Sequence, residues 1–246
     1  MPGQFEEAVA AVRKGDYATA QRVLRGLADQ GSAGARHNLG LMYLNGRGVP
    51  RDEAEAAKWF RKAADQGHAA AQHSLGGMYD IGRGVPQNDA EAVKWFRKAA
   101  EQGLAKAQCD LGVMYAKGRG VTRNVAEAAR WFRKGADQAY TAAQVNLGLM
   151  YEIGQGVPKN FAEAVRCYQA AADQGEARAQ FSLGAMYAAG RGLPKDNVRA
   201  YMWFSLSATQ ANDNAVKNRD LTARSMTPAQ IADAQKLARE WTPKPK

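Results

Sequence analysis

Ala71-Gln72-His73-Ser74-Leu75-Gly76-Gly77-Met78-Tyr79, followed by Gly82-Arg83-Gly84-Val85-Pro86, is the stretch from which the fold is read. Ala71, Leu75, Met78, Tyr79 and Gly82 stand at i, i+4, i+7, i+8 and i+11, which is one face of a helix. The two loop glycines and the proline then break it, because glycine accepts left-handed backbone and proline cannot continue a helix. Asn88 is a candidate N-cap, with Glu91 three residues on in the manner of a capping box. Ala92, Trp95, Phe96, Ala99 and Ala100 form a second stripe that stops at Gly103. One unit is a helical hairpin.

The unit recurs. Leu-Gly falls at Leu39-Gly40, Leu75-Gly76, Leu111-Gly112, Leu147-Gly148 and Leu183-Gly184, each time 36 residues after the last, and Met-Tyr follows every pair. A fixed period of this length predicts an all-α solenoid of helix-turn-helix repeats, each burying its apolar side against its neighbours. Five units are expected at 32–67, 68–103, 104–139, 140–175 and 176–211. A capping hairpin is expected at 1–31, with capping helices and a solvated basic tail at 212–246. In that last segment Thr227-Pro228-Ala229-Gln230 opens a helix whose stripe is Ile231, Ala234, Leu237 and Trp241. Glycine inside a helix costs about 1 kcal/mol against alanine, so the glycine of each Leu-Gly pair is expected to make room for the Trp95-Phe96 type pair.

The order Ala71, Leu75-Gly76, Met78-Tyr79, Gly82-x-Gly84-Val85-Pro86, Asn88, Glu91-Ala92, Trp95-Phe96, Gln102-Gly103 resembles the Sel-one-like repeat family, a longer relative of tetratricopeptide repeats. The resemblance covers about residues 16 to 211. It implies a right-handed α/α superhelix that binds protein partners as an adaptor, and bacterial relatives are often exported. Some cysteine-rich relatives were described as β-lactamase-like, but Ser-x-x-Lys and Lys-Thr-Gly are missing from this chain. The local departures are Thr122 for proline, Cys167 for tryptophan, Gln155 for the loop arginine and Gly135 for alanine.

With the stripe of the first helix turned to the core, its other face carries the positions that vary between repeats. In helical-hairpin solenoids this helix lines the concave wall. The candidate partner-binding residues there are His37, Asn38, Leu41, His73, Ser74, Asp80, Asp110, Lys117, Asn146, Leu149, Glu152 and Ser182. The column Asn38, Ser74, Asp110, Asn146, Ser182 is short and polar, suited to an extended peptide backbone or a helix lying in a groove. His37, His73 and Cys109 share a column, but equivalent atoms of adjacent repeats lie roughly 10 Å apart, too far to converge on one zinc ion. No metal or cofactor is expected.

The 246-residue chain carries a formal charge of +10, which raises a polyanion as the alternative partner. Its distribution argues against nucleic acid. The bases recur on the second helix, and Glu55, Glu91, Glu127 and Glu163 precede Lys58, Lys94, Arg130 and Arg166 by three residues, as solvated helix pairs do. A ladder of loop arginines, Arg47, Arg83, Arg119 and Arg191, would be the polyanion site. No nucleophile–base set, perturbed carboxylate pair or phosphate-cradling loop is present, so the expectation is a non-enzymatic, monomeric interaction scaffold binding a protein or peptide. No apolar run reaches 18 residues, so no membrane span is expected. Met1-Pro2-Gly3-Gln4 has the features of no secretory leader. Cys109 and Cys167 are spaced for neither metal nor disulfide.

Overall fold

The computed structural model describes residues 2–244, the side chain of Pro2 excepted, so the end of the expected tail, Pro245 and Lys246, lies outside the described residues. The described residues form fourteen helices and no strand: α1 (Pro2–Lys14), α2 (Tyr17–Asp29), α3 (Ala33–Asn45), α4 (Glu53–Ala64), α5 (Ala69–Ile81), α6 (Asp89–Glu101), α7 (Ala105–Lys117), α8 (Val125–Asp137), α9 (Thr141–Ile153), α10 (Phe161–Asp173), α11 (Ala177–Ala189), α12 (Asn197–Ala208), α13 (Asp213–Ala223) and α14 (Pro228–Glu240). They divide into two compact units, Met1–Arg123 and Asn124–Lys246.

The hairpin of each repeat is fixed at its loop. In the first unit Gly82 ends α5 in left-handed backbone, φ 68°. Gly84 is needed for a different reason. A Cβ there would stand 2.2 Å from the carbonyl oxygen of Glu53, the first residue of α4, and Gly120 meets Asp89 in the same way. In the second unit Gly156 meets Val125 and Gly192 meets Phe161. The second loop glycine is therefore the contact point between one repeat and its predecessor.

The second helices begin at Asp52, Asn88, Asn124, Asn160 and Asp196, whose side chains accept from the backbone three residues on. The expected capping box is only half formed. The backbone N–H of Asn88 donates to the carbonyl of Tyr79, at the end of the preceding helix, so Glu91 has no donor to reach back to. Glu91 accepts from Lys94 and from the Trp95 indole instead. A full box forms at Thr227 and Gln230, where no such carbonyl is at hand.

Inside the hairpin, the neighbour that excludes a side chain from the Leu-Gly glycine is the second aromatic and not the tryptophan. A Cβ on Gly76 would fall 2.7 Å from the Phe96 ring; Gly40 meets Phe60, Gly148 meets Tyr168 and Gly184 meets Phe204. The tryptophans are buried in the layer behind, with Lys62, Lys98 and Lys134 over the Trp59, Trp95 and Trp131 faces at 4.5, 4.4 and 4.2 Å.

A buried glutamine ladder links repeats. Gln72 donates to the carbonyl of Ala64 and accepts from Gln102 at 2.7 Å. Gln180 accepts from Gln210, and Gln144 from Gln174, in the second unit. In the first repeat Arg36 occupies the ladder position and donates to Ala28.

The C-terminal end corrects one expectation, the stripe of its last helix. Helix α13 is a worn first helix: Ala215 lies 36 residues after Ala179 and is fully buried, while Arg219-Asp220 stand where Leu-Gly would be. On α14 the packed stripe is Ile231, Ala234, Ala238 and Trp241, and Leu237 points outward at 42% exposure. The following segment is exposed through Lys244, and it is tethered there. The Lys244 backbone N–H donates to the Asp173 carbonyl at 2.7 Å and its ammonium meets the Asp173 carboxylate at 2.6 Å, with Trp241 edge-on to Trp203.

Candidate functional site

The variable face of the first helices is built differently in its layers. The column of His37, His73, Cys109, Val145 and Phe181 lies deepest, between repeats. Cys109, which shares the variable-face column by spacing, is buried, and so is Val145. His37 stacks on Phe60 and on His68, centroids 5.5 and 5.0 Å apart. Burial first, then the like-charged forms of His68 and His73, lower its pKa from 6.5 to about 4. Its Nε2 approaches Ser74 Oγ at 3.4 Å. Because the single hydroxyl proton of Ser74 goes to the Ala70 carbonyl, the Ser74 oxygen is the acceptor. His73 packs on Phe96 and donates to the Asp110 carboxylate at 2.7 Å.

The short polar column is largely turned inward to the protein. Asn38 donates its amide to Gly34 of its own helix, Ser74 to Ala70, and Asp110 is held by His73. In the second unit Ser182 hydrogen-bonds the Tyr168 hydroxyl, which itself donates to Glu152 at 2.8 Å. Burial and Glu152 raise the Tyr168 phenol far above its ordinary range. Asn146 is half-buried on the same face, and Leu41 packs with the core beside Leu75.

One groove opens on this face within the first unit. It is a cavity of about 390 Å³. Its floor is Gly77, where an added Cβ would meet nothing within 4 Å. Its sides are Leu44, Val113 and Ile81, the last 65% exposed. The polar groups at its rim are Ser74, the His73–Asp110 pair, Asp80, Arg83, Lys106 and Arg119. Lys117 is exposed beyond them at the end of α7. In the second unit the matching face shows Leu149 and Ile153, 43% and 53% exposed and one helical turn apart on α9.

The loop arginines do not form a uniform ladder. Arg83 is held by Glu53 at 2.7 Å, and Arg119 bridges Asp80 and Asp89 at 2.7 and 2.6 Å. Those carboxylates raise the Arg119 pKa further, hydrogen bonding to Asp89 most of all. Arg191 lies over the Phe161 ring and reaches Glu152 only at 3.9 Å. Arg47 is exposed. The loop residue thus answers the first residue of the preceding second helix: arginine to Glu53 and Asp89, glutamine (Gln155) to Val125, and a stacked arginine to Phe161.

The second-helix surface is occupied by its own pairs. Lys58, Lys94, Arg130 and Arg166 meet their glutamates three residues back. Arg61, Arg97, Arg133 and Arg199 donate to the hydroxyls of Tyr79, Tyr115, Tyr151 and Tyr187. Both cysteines are free. Cys167, expected as a buried stand-in for tryptophan, is half-buried, and desolvation pushes its thiol up to about 11, which leaves it a poor nucleophile. Two features escaped sequence reasoning, the glutamine ladder and the His37–His68 contact. The ladder had a signal, since Gln72, Gln108, Gln144 and Gln180 share the 36-residue spacing.

The sequence profile of the Sel1 repeat matches residues 33–68, 69–104, 105–140, 141–176 and 177–212. A Sel1 repeat protein from Oxalobacter formigenes, seen in a crystal structure, is 33% identical, with 96% of this chain and 99% of that chain covered and a TM-score of 0.83. An immunity protein from Pseudomonas aeruginosa is 21% identical, with 84% of this chain and 82% of that chain covered and a TM-score of 0.57, a likeness of fold alone. No curated protein matches the sequence. No helix of the described residues is long and apolar enough to cross a membrane.

Proposed function

The chain belongs to the Sel1 repeat family, and we propose that it is a non-enzymatic, monomeric scaffold that captures a peptide or protein segment on the variable face of its first helices. Sel1 repeat proteins are in general scaffolds for protein interactions. The observation that carries the finer assignment is the groove floored by Gly77. It is open, bordered by half-buried Leu44 and Val113 and exposed Ile81, and edged by polar groups of which Lys106 alone has no ion-pair or hydrogen-bond partner among the described residues. Such a mixture suits an extended segment that inserts side chains between helices and hydrogen-bonds at the rim. Asp80 and Asp110 belong to this border with Lys117 just beyond it, and Leu149 with Glu152 to the corresponding face of the second unit. The Asn38 and Ser74 amide and hydroxyl act there as structural groups, since each bonds its own helix.

The test is selection of binding peptides by display against the whole protein, followed by the same selection with Gly77→Trp. The substitution projects a large ring into the groove from a position where the added Cβ meets nothing within 4 Å. Peptides selected by the parent protein are expected to lose binding at least tenfold to the variant, and their amide-shift footprint to fall on α3, α5 and α7. A footprint on the tryptophan-bearing helices α4 and α6, with binding unchanged in the variant, refutes the proposal.

A further inference from the structure

Helix α7 carries Lys106, Asp110, Val113 and Lys117 at i, i+4, i+7 and i+11. Eleven residues make close to three turns, so the two lysines stand on one stripe about 16 Å apart. Asp110 between them is occupied by His73. Every other charged group at the groove border has a partner of opposite sign: Arg83 has Glu53, and Arg119 has Asp80 and Asp89. Among the described residues, neither Lys106 nor Lys117 has an ion pair. Both are exposed. The groove therefore has an apolar middle, at Gly77, Val113 and Ile81, one uncompensated cation, Lys106, in its lining and a second, Lys117, just beyond it at the end of α7.

From this arrangement we infer the chemistry of the segment the groove takes: an extended peptide with an apolar stretch flanked by two acidic residues five positions apart. An extended chain advances about 3.3 Å per residue, so five steps span the distance between the lysines. A helix would need acids eleven positions apart. It is also about 10 Å across with its side chains, as wide as the spacing of the helices that bound the groove. A chain with acids at both ends puts each carboxylate against a cation that this protein does not itself neutralise, and its apolar centre over the glycine floor. The inference rests on the groove proposed above and adds the charge pattern of its occupant.

The experiment uses the whole protein and fluorescein-labelled, acetylated and amidated hexapeptide pools. In each pool four central positions are drawn from Leu, Ile, Val and Ala, and the two ends are both Asp, both Asn or both Lys. Anisotropy titration at 50 mM salt is expected to show the Asp-ended pool binding about two- to twentyfold tighter than the Asn-ended pool, as two exposed ion pairs would give. The difference is expected to shrink at 500 mM salt. Lys106→Glu combined with Lys117→Glu is expected to transfer the preference to the Lys-ended pool. Equal binding of Asp- and Asn-ended pools, or an unaltered order in the charge-reversed protein, overturns the inference and leaves the groove assignment standing. Phosphatidylserine vesicles or polyuridylate competing through the same two lysines more strongly than the Asp-ended pool also overturn it. Binding of every pool that is untouched by Gly77→Trp brings down the groove assignment itself.

Discussion

Two adjacent glycines on α5 should respond unequally to the same substitution, one with a gain in stability and the other with none or a loss. Gly77 has helical backbone and open space around it, so Gly77→Ala adds a methyl group that touches nothing and removes the conformational freedom of glycine from the unfolded chain. The gain expected for a helix interior is about 1 kcal/mol, a rise of about 2–4 °C in Tm for a chain of this size. Gly76→Ala gains the same propensity, but its methyl carbon would lie 2.7 and 2.9 Å from two Phe96 ring carbons and 3.3 Å from the Ala92 carbonyl. Phe96 is 3% exposed and cannot swing away. Overpacking of this kind costs about 1–3 kcal/mol, so the net change runs from about zero to a loss of about 2. Thermal unfolding followed by circular dichroism, with urea midpoints beside it, measures both variants under one condition. Gly76→Ala with Phe96→Leu should recover part of the loss. If the two alanine variants are stabilised alike, the account of the Leu-Gly pair as a ring-accommodating notch is wrong.

Three other expectations are open to measurement. His37 has a folded-state pKa below its unfolded value, so its contribution to stability is complete above about pH 6.5 and is lost as pH falls toward 4, at most about 3 kcal/mol. His37→Phe, which copies the residue found at Phe181, should flatten that part of the urea-midpoint profile between pH 7 and 4.5; an unchanged slope would assign the loss to carboxylates. Arg119→Gln should destabilise by about 0.5–1 kcal/mol by leaving Asp89 and Asp80 unpaired. Adding Asp89→Val, which reproduces the Gln155 and Val125 combination, should restore most of this, and an additive double-mutant cycle would refute the pairing. Ala139 has φ 57° where Gly31, Gly67, Gly103 and Gly175 stand at the 36-residue spacing, and Ala211 shares its left-handed backbone at φ 59°, so Ala139→Gly should stabilise by about 0.5–1 kcal/mol in chemical unfolding; a loss would mean that the left-handed alanine is not strained.

Helix positions and repeat phase were legible because the core columns at Leu75, Gly76, Met78 and Phe96 are read once and repeat five times. Single-copy features were less visible. Helix α13 has lost Leu-Gly and Met-Tyr and keeps only Ala215, too little signal for periodicity to find. Leu237 looked like a core residue by spacing, but α14 turns its alanines toward α12 because small side chains allow the closer approach. Of the residues read from the sequence as the variable face, His73, Ser74, Asp80 and Asp110 line the cavity. What the sequence could not tell was which of those groups are already engaged. Hydrogen bonds such as Asn38 to Gly34 and His73 to Asp110 depend on rotamers and on a neighbour one repeat away, and neither is written in the local pattern.

The contact between a loop and the start of the previous second helix makes the modules of this chain non-interchangeable. The unit with Gln155 is keyed to one that offers Val125, and the unit with Arg119 to one that offers Asp89. A shuffled or shortened array keeps every helix and every core column, yet it mates an arginine with valine or strands an aspartate. Order along the chain is thus recorded at the seams, and anyone cutting and rejoining such arrays would do best to carry each seam across intact.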